Sequence, residues 1–291
     1  MALAAKDTIL HFSLLEGQAR AVMIESTNLV TKAKRTHALS ETATIALGRL
    51  LTGTAILGDM IKNEKGSLTV TVKGGGPLGA LVAVGYPGGV VKGYVDKPYV
   101  EEAERQVGEA VGRDGYLTVV RDSGMREPYV GQVALVSGEI AEDLCSYLAT
   151  SEQTPSLLSL GVHVKDGSVT CAGGLLVQML PGASEAAIQS VEMSVGMFSG
   201  VADEIDKWGI DEAAKQLLSH LQMVELERST PEFRCDCSRE RVERALITLG
   251  PDELRDMITR DHGAQASCHF CNRVHRFSEA DLLRMIEKMK K

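Results

Sequence analysis

The residues best suited to chemistry are four cysteines near the C-terminus. They read Cys235-Asp236-Cys237 and, thirty residues later, Cys268-His269-Phe270-Cys271. The chain has six cysteines, so most of its thiols sit in these two clamps. Four thiolates paired in this way supply the complete donor set of a tetrahedral Zn²⁺ site. The Cys-x-x-Cys half has the spacing of a common metal knuckle. The Cys-x-Cys half brings both sulfurs to one metal only if the backbone turns sharply. A buried set of unmetallated thiols is the alternative, and it fits poorly with the polar flanks Arg234, Asp236, Ser238, Arg239, His269, Asn272 and Arg273. His262, His269 and His275 lie close enough in sequence for one to replace a thiolate. Four cysteines already fill the shell, so these histidines are expected in supporting or surface roles. A catalytic zinc keeps one position open, and four thiolates leave none.

Two readings of such a site stay open. In the first it is permanently structural. A module this small has little core, and metal binding supplies about 10–16 kcal/mol in zinc-finger peptides. In the second it is a switch. Each clamp holds two sulfurs close in sequence, so each can oxidise within itself and lose two ligands together. Thiolates are the reactive form, and a metal with Arg234, Arg239 and Arg273 nearby favours that form. Loss of the metal would then be coupled to unfolding of the module.

The elements that must position these residues follow from periodicity. Residues 7–13 and 18–24 alternate about a turn at Glu16-Gly17, which predicts a β-hairpin. Residues 28–38 and 40–62 predict helices, the second capped by Ser40. Gly48, Gly53 and Gly58 recur every five residues in it, which points to close packing against a sheet. Strands are expected at 67–73, to Val84 after the glycine-rich turn 74–79, at 90–95, at 116–121 and at 129–136. A helix is expected over 139–150, with Cys145 as a small apolar filler. Two strands, 157–165 and 168–178, meet at Asp166-Gly167, a strong hairpin signal. Cys171 lies in the second. Gly173-Gly174 lies there too and predicts a bulge or a close backbone approach. Residues 184–227 read as two or three helices enriched in methionine, a residue that adapts to varied partners. Past the break at Ser229-Thr230-Pro231, residues 238–249 and 251–261 predict two short helices. Residues 266–277 predict a hairpin, and Ser278-x-x-Asp281 caps a last helix. The fold class is α+β: a mixed sheet-and-helix body over about 1–180, a helical linker over 181–230, and a four-cysteine zinc-binding module over 231–291.

Composition excludes several functions. The formal net charge of the 291 residues is −8. Split at Phe233, residues 233–291 carry 12 Lys+Arg against 10 Asp+Glu, and the remainder carries 19 against 29. Neither part offers the field of a nucleic-acid reader. The N-terminal stretch is broken by Lys6, Asp7 and His11 and does not read as a signal peptide. No run of apolar residues is long enough to span a membrane. A reducing compartment, the cytoplasm by default, suits a thiolate cluster. No Walker loop, nucleotide-binding fingerprint, Gly-x-Ser-x-Gly elbow or His-Glu-x-x-His motif is present, so an enzyme is not expected. The glycine-rich stretch 74–79 lacks the following Lys-Ser/Thr and leads into a strand.

The two clamps at this spacing, behind a body of this length, resemble the heat-shock protein 33 family of redox-regulated chaperones. The stretches Gly74-Gly75-Gly76-Pro77-Leu78-Gly79, Ser151-Glu152-Gln153-Thr154-Pro155-Ser156, and Gly173-Gly174 through Gln178-Met179-Leu180-Pro181-Gly182-Ala183 resemble it too. The likeness runs over essentially the whole chain, without a departure at the four cysteines. It implies that Cys235, Cys237, Cys268 and Cys271 hold one zinc in a reduced, inactive protein. It implies that oxidants convert the clamps to Cys235–Cys237 and Cys268–Cys271 disulfides. It also implies that the module and linker then loosen, that apolar surface binds unfolding client proteins without ATP, and that the active form is a homodimer. Cys145 and Cys171 match none of the family's motif cysteines. Two other functions compete. A zinc-ribbon adaptor would lose its function on metal removal. A thiol oxidoreductase using Cys268 and Cys271 leaves the Cys-x-Cys pair unexplained.

Overall fold

Thr8–Leu14 (β1) and Ala19–Glu25 (β2) close the first hairpin in antiparallel register. This is a computed structural model, and it describes residues 6–100, 106–124 and 127–289. The first five residues of the N-terminal stretch and the last two of the expected C-terminal helix lie outside these. The chain divides into two units, Met1–Arg234 and Cys235–Lys291.

In the first unit, Thr27–His37 (α1) and Glu41–Asp59 (α2) follow the hairpin. Ser40 caps α2, its Oγ accepting from Ala43 N at 3.4 Å. Almost every residue of α2 from Thr42 to Gly58 is buried. A helix apolar on all sides is stable only when covered on all sides, and two sheets do that. Ser67–Lys73 (β3), Ala80–Tyr86 (β4) and Val90–Val95 (β5) precede the short Val107–Val111 helix (α3). Tyr116–Asp122 (β6), Tyr129–Ala134 (β7) and Ala141–Thr150 (α4) follow. Ser156–Lys165 (β8) and Ser168–Met179 (β9) then pair across Asp166-Gly167, where both residues have positive φ.

The order β11-β5-β4-β3-β6-β7 makes one sheet, and β10-β1-β2-β9-β8 the other; β10 is Val224–Ser229 and β11 is Glu232–Phe233. Leu47, Leu50, Leu51 and Ile56 of α2 share one core with Leu68, Val70 and Leu81 of the six-stranded sheet and with Ile24, Val162 and Leu176 of the five-stranded one. The glycines of α2 permit this contact. A Cβ on Gly58 would lie 2.9 Å from Tyr86 N of β4, and one on Gly53 would lie 3.3 Å from Leu160 Cδ1 of β8.

The opposite face of the five-stranded sheet is also covered. Glu185–Met193 (α5), Val195–Phe198 (α6), Val201–Trp208 (α7) and Ile210–Leu218 (α8) lie over it. Val201, Ile205, Leu217 and Leu218 pack there with Phe12, Met23 and Leu175. Strand β9 is therefore buried continuously rather than alternately. At Gly173 the expected close approach is real: a Cβ would meet Ile205 Cδ1 at 2.5 Å. The ladder irregularity falls elsewhere, between His163 and Val164 of β8.

The expectation of helix throughout 184–227 needs correction at its end. Residues 224–229 form β10, which pairs with β1. All but its last residue are exposed, so an edge strand here requires no apolar alternation. Cys145 is half-buried rather than a core filler.

The second unit holds Arg239–Ile247 (α9), Pro251–Asp261 (α10), Gly263–Ser267 (β12), Val274–Ser278 (β13) and Glu279–Met289 (α11). Its buried core is Leu246, Leu254, Phe277, Leu282, Met285 and Ile286.

Candidate metal centre

Local structure delivers each clamp separately. Ser238 follows Cys237 directly and caps α9, its Oγ accepting from Arg241 N at 3.2 Å. This fixes where the extended Cys-x-Cys segment ends. Asp236, between the two cysteines, pairs with Arg241 in the same turn. The second clamp crosses the tip of the β12–β13 hairpin, whose last paired residues are Ser267 and Val274. Cys268 N donates to Arg273 O at 3.0 Å, and Asn272 N donates to Cys268 O at 2.8 Å. Asn272 has φ +57. Asparagine tolerates this left-handed conformation better than most residues, and it curls the tip so that Cys268 and Cys271 face the same point.

Arg239 ties the start of α9 to the hairpin and to α11. Its guanidinium lies 4.3 Å above the Phe277 ring and donates to Asp281 Oδ2 at 2.8 Å. Asp281 is fixed in turn by the predicted capping box: Ser278 N donates to its Oδ2 at 2.9 Å, and Asp281 N donates to Ser278 Oγ at 3.3 Å.

The structure thereby brings together all four cysteines singled out in the sequence. The sulfurs of Cys235, Cys237, Cys268 and Cys271 lie within 4.8 Å of one another. Cys235 and Cys268 are 3.6 Å apart, and Cys237 and Cys271 are 3.4 Å apart. Ligands about 2.3 Å from one zinc stand about 3.8 Å apart at the corners of a tetrahedron, so this spread suits a tetrahedral metal. It is far longer than a disulfide of about 2.05 Å, and all four are free thiols here. No histidine joins the group among the described residues. His262 pairs instead with Glu279 at 2.7 Å, and His275 is buried.

The chemistry of the donor set also fits a cation. Burial pushes the Cys235 and Cys237 thiols up, and neighbouring sulfurs add to it. Burial acts the same way on Cys271, but the Arg273 N–H and the three surrounding thiols outweigh it and bring Cys271 down. Four such sulfurs ionise at one another's expense unless a positive charge sits among them. Two of the flanking arginines are already paired: Arg239 with Asp281, and Arg234 with Glu232.

Comparison with known proteins agrees with this geometry. The profile of the Hsp33 protein family matches residues 7–278. The chain belongs to the Hsp33 family. It is 40% identical to the 33 kDa chaperonin of Clostridioides difficile (strain 630) over 290 residues, 98% of this chain and 100% of that one. It is 41% identical to the 33 kDa chaperonin of Acetivibrio thermocellus over 289 residues, 97% of each. The crystal structure of the 33 kDa chaperonin (heat shock protein 33 homologue) from Thermotoga maritima superposes with a TM-score of 0.88 at 31% identity, covering 99% of this chain and all of that one. Among the described residues, no helix is long and apolar enough to cross a membrane.

Proposed function

We propose that this Hsp33 family member is a redox-regulated, ATP-independent holdase chaperone. It is inactive when its four C-terminal cysteines are reduced and active when they are oxidised. One observation carries the reading: four free sulfurs within 4.8 Å of one another in a unit whose own buried core is six side chains. Cys235, Cys237, Cys268 and Cys271 would hold one Zn²⁺, which when bound neutralises the crowded thiolates and staples the two clamps together.

The switch then lies in the thiols. At each clamp two cysteine thiolates lose two electrons to form one S–S bond, and the oxidant takes up one proton from solvent. With hypochlorous acid as oxidant, the electrons go to chlorine, giving chloride and water. We assign the bonds Cys235–Cys237 and Cys268–Cys271, because one or two intervening residues keep those partners close once the fold loosens. A disulfide sulfur is a poor donor, so both clamps fail as ligands and α9, α10 and α11 lose their staple. The adjoining linker, residues 181–230, loosens with the module, and apolar surface captures unfolding clients. The body, residues 1–180, supplies the scaffold. The active form is a homodimer and acts in the cytoplasm under oxidative stress.

The test is light scattering from a chemically unfolded client, with the reduced zinc-loaded protein and the same protein after hypochlorite, and released zinc assayed in parallel. Suppression only after oxidation, with about one zinc released per chain, is expected. Zinc release without suppression would reduce the metal to a structural staple and favour an adaptor.

A further inference from the structure

Two of the stretches singled out in the sequence, Ser151–Ser156 and the segment beginning at Gln178, play no part in the redox switch. They converge in the first unit around a cavity of about 430 Å³. Its wall is apolar at Leu57, Met60, Ile61 and Leu148, and Arg20, Arg121 and Lys62 bring three cations to it. The volume lies within the range of small-molecule pockets.

The polar part is rigidly built. Gln178 is 2% exposed. Its Oε1 accepts from Arg20 Nε at 3.0 Å and from Arg20 Nη2 at 2.7 Å, and its Nε2 donates to Ser156 Oγ at 2.9 Å. Glu152 Oε1 accepts from Arg121 Nη2 at 2.6 Å and from Tyr147 Oη at 2.9 Å. Arg20 thus has a neutral amide as its hydrogen-bond acceptor and feels Glu152 as a nearby charge. Arg121 Nε is buried and has no partner among the described residues. Two guanidinium groups therefore flank one carboxylate with donors still open.

We propose that this cavity binds a small carboxylic acid with a compact apolar body, as its carboxylate. Three cations against Asp122 and Glu152 leave one net positive charge at the lining, enough for a monoanion. The C-terminal end of α2 also reaches the cavity and offsets part of that charge, which disfavours a dianion. Planar guanidinium forks match carboxylate geometry, and Glu152 takes only the Nη2 end of Arg121, leaving its Nε unused. The apolar wall takes the body of the ligand.

The experiment is isothermal titration of the full-length, reduced, zinc-loaded protein with 4-methylpentanoate. 4-Methylpentanamide, inorganic phosphate and Arg20→Gln are the controls, and Lys62→Gln is a second variant remote from the Gln178 network. Saturable binding below about 1 mM is expected. The amide and Arg20→Gln should each weaken it at least about ten-fold, and Lys62→Gln by a smaller factor. Thermal melts and zinc content verify that the variants fold. No saturation by about 10 mM, equal binding of the amide, or equal binding of phosphate would each overturn the proposal. So would undiminished affinity in a folded Arg20→Gln. Should Arg20→Gln not fold, the amide comparison and Lys62→Gln decide on their own.

Discussion

Leu50 in the N-terminal unit and Leu254 in the C-terminal unit are both fully excluded from water, but what surrounds them differs. Leu50 sits on a helix enclosed by two sheets, and a second core lies beyond one of those sheets. Leu254 belongs to a core of six residues drawn from helices of nine to eleven residues and one five-residue strand. Burial scales with size, so small units need staples that large ones do not. The contrast teaches where a switch can be built. A unit stabilised by a distributed core has no single bond whose loss unfolds it, whereas a unit stabilised through four sulfurs has.

The largest effect should come from stripping the metal. Chelation under reducing conditions is expected to abolish amide protection in α9, α10 and α11 while α2 remains protected. Metal binding of this kind is worth about 10–16 kcal/mol in zinc-finger peptides, far more than a six-residue core supplies. Loss of protection in α2 as well would break the comparison. Next comes Leu50→Ala, which should cost the N-terminal unit about 2–5 kcal/mol. Denaturant unfolding should register the loss, with zinc stoichiometry unchanged.

A third, smaller effect is alkaline. Burial, with repulsion from Asp206 and Glu25, pushes the Cys171 thiol up to about 12. An unfolded thiol titrates near about 8.5. The folded unit therefore holds this proton more tightly. The contribution is complete below about 8.5 and is lost as the pH rises towards about 12. Between about pH 9 and 11, wild type should lose stability more steeply than Cys171→Ala. Parallel slopes would remove Cys171 from the account.

The smallest effect should be Asp281→Asn in the C-terminal unit. The Ser278 N–H, then its hydroxyl, hold the Asp281 carboxyl down to about 2, with Arg284 and Arg239 contributing. The charge contribution is present above the ordinary carboxylate range near about 3.9 and is lost as the pH falls through about 2. From neutral pH down to about 5, exchange at α11 should be faster in Asp281→Asn by a constant factor. A gap that closes within that interval would contradict the assignment.

How much of this was legible in the sequence varies with the range of the interaction. The hairpin at Asp166-Gly167, the Ser40 cap and the Ser278–Asp281 box are set by neighbours, and each is where the pattern put it. The cysteines were legible because metal chemistry restricts residue type and spacing together. The ladder joining Arg20 to Gln178 was not, since those residues are 158 positions apart. Val224–Ser229 does not read as a strand because an edge strand pairs on one side and buries little, so a run such as Val224-Glu225-Leu226-Glu227 lacks the burial signature of one. The cavity beside Arg20 and Arg121 could have been suspected only from Ser151–Ser156, a polar stretch with no evident task.

The pairing of β1 with β10 also bears on synthesis. Ile9 stands opposite Ser229, so β1 takes as its outer neighbour a strand made some 220 residues after it. At about 5–20 residues per second that partner follows some 10–45 s later. Until then β1 presents an open edge. The nascent chain needs cover on that side throughout this interval.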